Sequence, residues 1–181
     1  MGIITANRRL LSLGLEAALI VSVLAHAPLA AADDDTPIFR VRSSDQAITQ
    51  FIDLAATRSL TFRNLVALIQ ATDGIVYVEP GECGHGTRAC LKVWMSVSGS
   101  TRFLRVVVNR RRAYSDVDFM GSIGHELQHT VEALSEPNTV NSTRLYNFFL
   151  RTAISGQRFE TPAAIKAGDA VRHELRDLRV R

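Results

Sequence analysis

The sequence predicts an α+β domain in which a small, mostly antiparallel sheet packs with helices, and three observations predict it. Five stretches carry apolar residues at helical spacing, three short runs are rich in β-branched residues, and those runs fall together between the second and third helical stretches. The resulting order is helix, helix, strand, hairpin, helix, helix, helix, with no internal repeat.

Residues 33–44, opening Asp33-Asp34-Asp35-Thr36-Pro37, read as a flexible lead-in in which 37–42 has strand character. The folded domain is expected over 45–181. Ser44-Asp45 opens the first helix, whose apolar positions are Ile48, Phe51, Ile52 and Ala55. The second begins near Thr61, uses Phe62, Leu65, Val66 and Ile69, and stops around Asp73-Gly74. Residues 75–78 are a β-branched run ended by Glu79-Pro80-Gly81. After a glycine-rich loop holding both cysteines, residues 91–98 and 102–108 form a hairpin over Gly99-Ser100. Ser115 or Asp116 caps the third helix, which runs to about Ser135 and is ended by Glu136-Pro137-Asn138. Residues 143–154 are amphipathic around Leu145, Phe148, Phe149 and Ile154, and Ser155-Gly156 breaks them. Thr161-Pro162 starts the last helix, since proline fits a first turn, and Leu178 closes it.

The third helix carries the chemistry. It reads Gly124-His125-Glu126-Leu127-Gln128-His129-Thr130-Val131-Glu132, which contains His-Glu-x-x-His. Residues four apart on a helix lie one above the other, so both imidazoles can reach one ion. The glutamate after the first histidine then lies beside the open coordination position, placed to take a proton from water. Met120, Ile123, Leu127, Val131 and Leu134 form an apolar stripe. Asp118, Gly121, Ser122, His125, His129, Glu132 and Glu136 fall on the other side, all polar or glycine. Such a helix buries its back and turns its histidines toward a cleft. Gly121 and Gly124 cost about 1 kcal/mol each relative to alanine, which implies a close neighbour such as a strand or a substrate backbone. The competing picture is a surface helix with two incidental histidines.

Asn7-Arg8-Arg9, an apolar run over 10–27 and Ala30-Ala31-Ala32 describe a secretory signal peptide over residues 1–32. Glu16 interrupts the run, so an uncleaved anchor is the alternative. Later residues hold no apolar stretch long enough to span a membrane. The chain has 21 basic and 18 acidic residues; Arg8, Arg9 and Glu16 precede residue 33, leaving 19 and 17. That balance is too mild to imply nucleic acid. Arg110-Arg111-Arg112, the densest basic run, reads as a turn held in solvent, or else as a substrate or phosphate contact. In a periplasmic or secreted protein Cys83 and Cys90 are expected to pair as a disulfide. Cys83, His85 and Cys90 as a second metal site is the lesser alternative.

The motif helix following strands resembles the zincin metallopeptidases, whose His-Glu-x-x-His helix packs beneath a sheet. The resemblance implies a zincin-like fold around the helix, bound Zn2+, and an edge strand, here 102–109 or 91–98, pairing with extended substrate. The longer phrase Met120-Gly121-Ser122-Ile123-Gly124-His125-Glu126-Leu127-Gln128-His129, with Cys83-Gly84-His85-Gly86, also resembles small exported bacterial proteins that bring no assigned activity. The family needs a third protein ligand. Glu132 and Ser135 stand where metzincins carry glycine and histidine, so a gluzincin-like site is implied, with His125, His129 and a glutamate from a following segment as ligands. Glu160 is the first choice and Glu132 the second, with Glu136, His173 and Glu174 behind them. The role implied for Glu126 is general base toward a peptide or protein substrate. Tyr146, Arg144, His85 and His173 are chemically able to steady an oxyanion. A non-catalytic, zinc-stabilised binding module of the cell envelope is the alternative.

Overall fold

The computed structural model describes residues 39–84, 86–154 and 159–177. The expected signal peptide and the first part of the lead-in lie outside them, as does His85. Val41–Arg42 forms β1, and Val41 is buried, so the latter part of the expected lead-in belongs to the sheet.

Asp45 caps α1 (Gln46–Arg58) by accepting a bond from the Ile48 N–H. Ser59 ends α1 and caps α2 (Leu60–Gln70), accepting from the Phe62 N–H at 3.0 Å. It is fully buried, and its hydroxyl donates to Glu174 at 2.6 Å. The next elements are β2 (Gly74–Pro80), β3 (Ala89–Leu91), β4 (Ser96–Ser98) and β5 (Thr101–Val108). A 3-10 turn over Arg110–Arg112 leads to α3 (Asp116–Ser135), capped by Ser115; α4 (Ser142–Thr152) and α5 (Pro162–Asp177) follow.

The α+β class holds, but the sheet is mixed rather than mostly antiparallel. Its order is β1-β2-β5-β3, with β4 also on β5. β1 and β5 both run parallel to β2, whereas β3 and β4 run antiparallel to β5. Residues 91–98 are not one strand: the Lys92 N–H still bonds the Arg105 carbonyl at 2.8 Å, but 93–95 leave the ladder before β4. The turn over Gly99-Ser100 is present, and Gly99 takes the positive φ that a tight hairpin asks for. β5 therefore lies inside the sheet and cannot be an edge strand over a cleft; β3 is an edge strand, as are β4 and, at the other end, β1.

Alternation buries Gly74, Val76 and Val78 of β2, with Arg102, Leu104, Val106 and Val108 of β5, on the face that meets the helices. The core joins that face to Ile48, Ile52, Phe62, Leu65 and Ile69 of α1 and α2, and to Met120, Ile123, Leu127 and Leu134 of α3. Buried Arg102 binds Asp73 and the carbonyls of Ala133, Leu134, Glu136 and Thr139, so one guanidinium closes the carboxyl end of α3.

Candidate metal centre

α3 is enclosed on both sides. Its apolar stripe meets the sheet and α2, while its small-residue side meets α5. The close neighbour expected at the glycines is a helix, not a strand or a substrate. A Cβ on Gly121 would lie 2.3 Å from Arg172 Cγ, and one on Gly124 2.9 Å from Val171 Cγ2. Gly168 on α5 answers them, since its own Cβ would lie 3.0 Å from His125 Cβ. Asp118, expected on the polar side, is buried beneath this contact. It accepts from Arg88 Nη1 at 2.8 and 2.9 Å, from Arg172 Nε at 3.2 Å and from the Tyr114 N–H at 3.1 Å.

The helical coil brings the two imidazoles together, with ring centroids 4.9 Å apart. Glu160, immediately before α5, joins them. One ligand atom from each of His125, His129 and Glu160 lies within 4.8 Å of the others, and Glu160 Oε2 is 3.2 Å from His125 Nε2. Two atoms bound to one zinc at about 2.1 Å stand roughly 3.4 Å apart in a tetrahedron. The closest pair already has that spacing, and the third ligand atom lies within 4.8 Å of both. Two imidazole nitrogens and one carboxylate are a donor set suited to zinc, so the residues present fit a metal ion.

Glu132 stands behind His129 instead of among the ligands. Its Oε2 is 3.1 Å from His129 Nδ1, and its Oε1 accepts from Thr161 Oγ1 at 2.8 Å. Burial opposes its ionisation, but bonds from His129, Thr161 and Gln128 outweigh that and hold its pKa below the usual 4.5. An ionised carboxylate only accepts, so Nδ1 is the donor of that bond. Burial likewise opposes a charged His125, yet the bond to Glu160 and the carboxylates of Glu126 and Glu160 raise its pKa above 6.5. Glu160 responds in kind: its bond to His125 lowers its pKa against the opposing effect of burial.

Glu126 is buried, and that burial raises its pKa above 4.5 despite the neighbouring histidines and a bond from the Leu91 N–H. The bond runs from Leu91, on edge strand β3, to Oε2 at 2.7 Å; Oε1 is 4.0 Å from His125 Nε2. A cleft of about 310 Å³ opens here, lined by Glu126, His129 and Glu160 together with apolar Leu91, Val93, Phe149 and Phe159. The Phe149 ring meets His129 edge-on at 5.4 Å. Phe159 holds a φ of 66°, unusual for a bulky residue and costing on the order of 1 kcal/mol, at the position just before Glu160.

The remaining candidates lie elsewhere. Glu136 accepts from the Asn138 N–H, and Glu174 binds Ser59 and Thr61. His173 is exposed and pairs with Asp177 at 3.2 Å, so it is neither a ligand nor an oxyanion contact here. Arg144 lines a separate polar hollow with Glu136 and Arg151, and Tyr146 packs edge-on against Phe159. Cys83 and Cys90 form the expected disulfide, with Cα atoms 5.8 Å apart, beside the cleft. That pairing removes the second metal site from consideration. Sequence reasoning missed the Leu91 N–H, the walls Phe149 and Phe159, and the bond from Thr161 to Glu132. Only Phe159 had a signal, an apolar residue next to a candidate ligand.

Among the described residues no helix is long and apolar enough to cross a membrane. Compared with protein-family models, with curated proteins and with solved structures, the chain finds no match.

Proposed function

We propose that this protein is an exported zinc-dependent peptidase, or a related amide hydrolase, of the zincin type. The observation that carries the reading is the meeting of His125, His129 and Glu160 beside a buried carboxyl group, Glu126, with Glu126, His129 and Glu160 lining one apolar-walled cleft. His125, His129 and Glu160 would hold the ion, and Glu132 would fix the His129 tautomer. Bound there, zinc supplies Lewis acidity toward a water and toward the scissile carbonyl. Glu126, its pKa raised by burial, takes the proton from water and returns it to the departing nitrogen. The edge of β3 offers backbone groups to an extended chain. Export agrees with the disulfide and with the signal-like first 32 residues.

One observation favours a non-catalytic metal module instead: the Leu91 N–H already occupies one oxygen of Glu126. Glu126→Gln separates the two. A peptidase variant keeps one zinc per chain and loses peptide hydrolysis by roughly a thousandfold or more. Stoichiometric zinc in the wild type, with no turnover on a diverse peptide library, would establish the module.

A further inference from the structure

Beside the metal cleft lies a second hollow of about 600 Å³, lined by Thr87, Arg88, Arg111, Arg112 and Tyr114. Thr87 lines both cavities, so the two adjoin. The hollow is strongly basic and thinly neutralised. Arg111 makes no ion pair among the described residues, and Arg112 has only Glu82, at 3.7 Å. Arg88 also lines the hollow; its Nη1 is spent on buried Asp118, and its guanidinium lies 5.6 Å from the ring of Tyr114. Tyr114 is 91% exposed, although nothing about a turn requires an aromatic there.

We propose that this hollow is a subsite for acidic side chains of a polypeptide whose backbone lies along β3. The proposal rests on the peptidase reading for where the scissile bond falls. Leu91, whose N–H holds Glu126, is three residues from Arg88, and the ladder reaches Arg88 through its carbonyl to the Asn109 N–H. At about 3.3 Å per residue that is roughly 10 Å. A peptide extended along the same edge places a carboxylate over the arginines two or three residues from the bond at Glu126, and on one flank only. Guanidinium forks suit carboxylates, and Tyr114 offers a flat face to the same side chain.

The test uses the full chain carrying Glu126→Gln, loaded with zinc, so that binding is read without turnover. Fluorescent octapeptides carry an acidic pair on one flank, on the other, or replaced by glutamines. At low salt the peptide acidic on one flank is expected to bind roughly fivefold to tenfold more tightly than the neutral one. That gain fades at high salt, and Arg111→Gln with Arg112→Gln removes it without changing zinc content. Equal gains on both flanks, a gain that survives the double substitution, or no peptide binding at all overturns the subsite. A short oligonucleotide that outcompetes the acidic peptide also overturns it, in favour of a general anion site. Turnover by wild type without any charge preference sinks the subsite alone. A charge preference that follows the arginines in a protein lacking zinc and turnover sinks the peptidase reading alone.

Discussion

At the scale of single residues, Glu132 shows how a carboxylate outside the ligand set can govern the ligands. Removing it in Glu132→Ala frees the His129 ring and leaves its tautomer unfixed, so zinc affinity should fall about tenfold to a hundredfold in chelator competition. Glu160→Ala should do more, since it removes a ligand outright and leaves two nitrogens. Protons compete for the same site. His125 without metal has a pKa raised above 6.5, so it holds its proton until the pH passes that raised value. Zinc binding must displace this proton. Apparent affinity should climb with pH through the range above 6.5 and flatten beyond it, and titrations across that range read the slope directly. The His-Glu-x-x-His unit was legible because it depends on local spacing alone. Glu132 was ambiguous because its position, seven residues after His125, serves a ligand or a ligand's support equally well. Only Thr161 and His129 closing on its two oxygens separate those roles.

Among the elements, the α3–α5 contact decides whether the site exists at all, because α5 sets where Glu160 begins. Gly121→Ala gains about 1 kcal/mol of helix propensity. Its Cβ, however, meets Arg172 Cγ, which cannot swing away while Nε stays on Asp118. Overpacking costs typically 1–3 kcal/mol, so the net effect should be destabilising, visible as a lowered urea midpoint. Asp118 ties the same junction. Burial opposes its charge, but the Tyr114 N–H, Arg88 and Arg172 more than offset this and hold its pKa below 3.8. Its contribution is complete above 3.8 and is lost as the pH falls through the lower folded value. Asp118→Asn should therefore lower stability near neutrality by about 2 kcal/mol and lose less than wild type on acidification. Helix limits were readable from caps such as Asp45 and Ser115, which act locally. The parallel pairing of β2 with β5 was not, because register between distant strands depends on what covers them. Nor was the break at 93–95, where Val93 and Trp94 keep full strand propensity. Arg102 did leave a trace: alternation places it on the buried face with Leu104, Val106 and Val108, and a charge there demands partners.

Taken whole, the described residues form a two-layer unit whose candidate metal site joins the helical core to the segment entering α5. If zinc binds as proposed, a chelator should lower the melting temperature, by about 2.7 kcal/mol of stability when free zinc stood at a hundred times Kd. Reducing the Cys83–Cys90 bridge should remove about 2.5 kcal/mol by loop entropy, and more of the loss should fall on β3 than on α3. The α+β class was readable from the order of elements, and the third ligand only through a resemblance, since nothing local draws Glu160 to residue 125. Two of the proposed ligands belong to a helix enclosed on both sides, whereas the third stands on a connector fastened by the Ile154 N–H to the Glu160 carbonyl. Loss of an ion bound as proposed would therefore leave the imidazoles in register and slacken one strap. In deuterium, the amides of α3 should be the slowest in the protein with or without the ion, while those flanking residue 160 quicken on its removal.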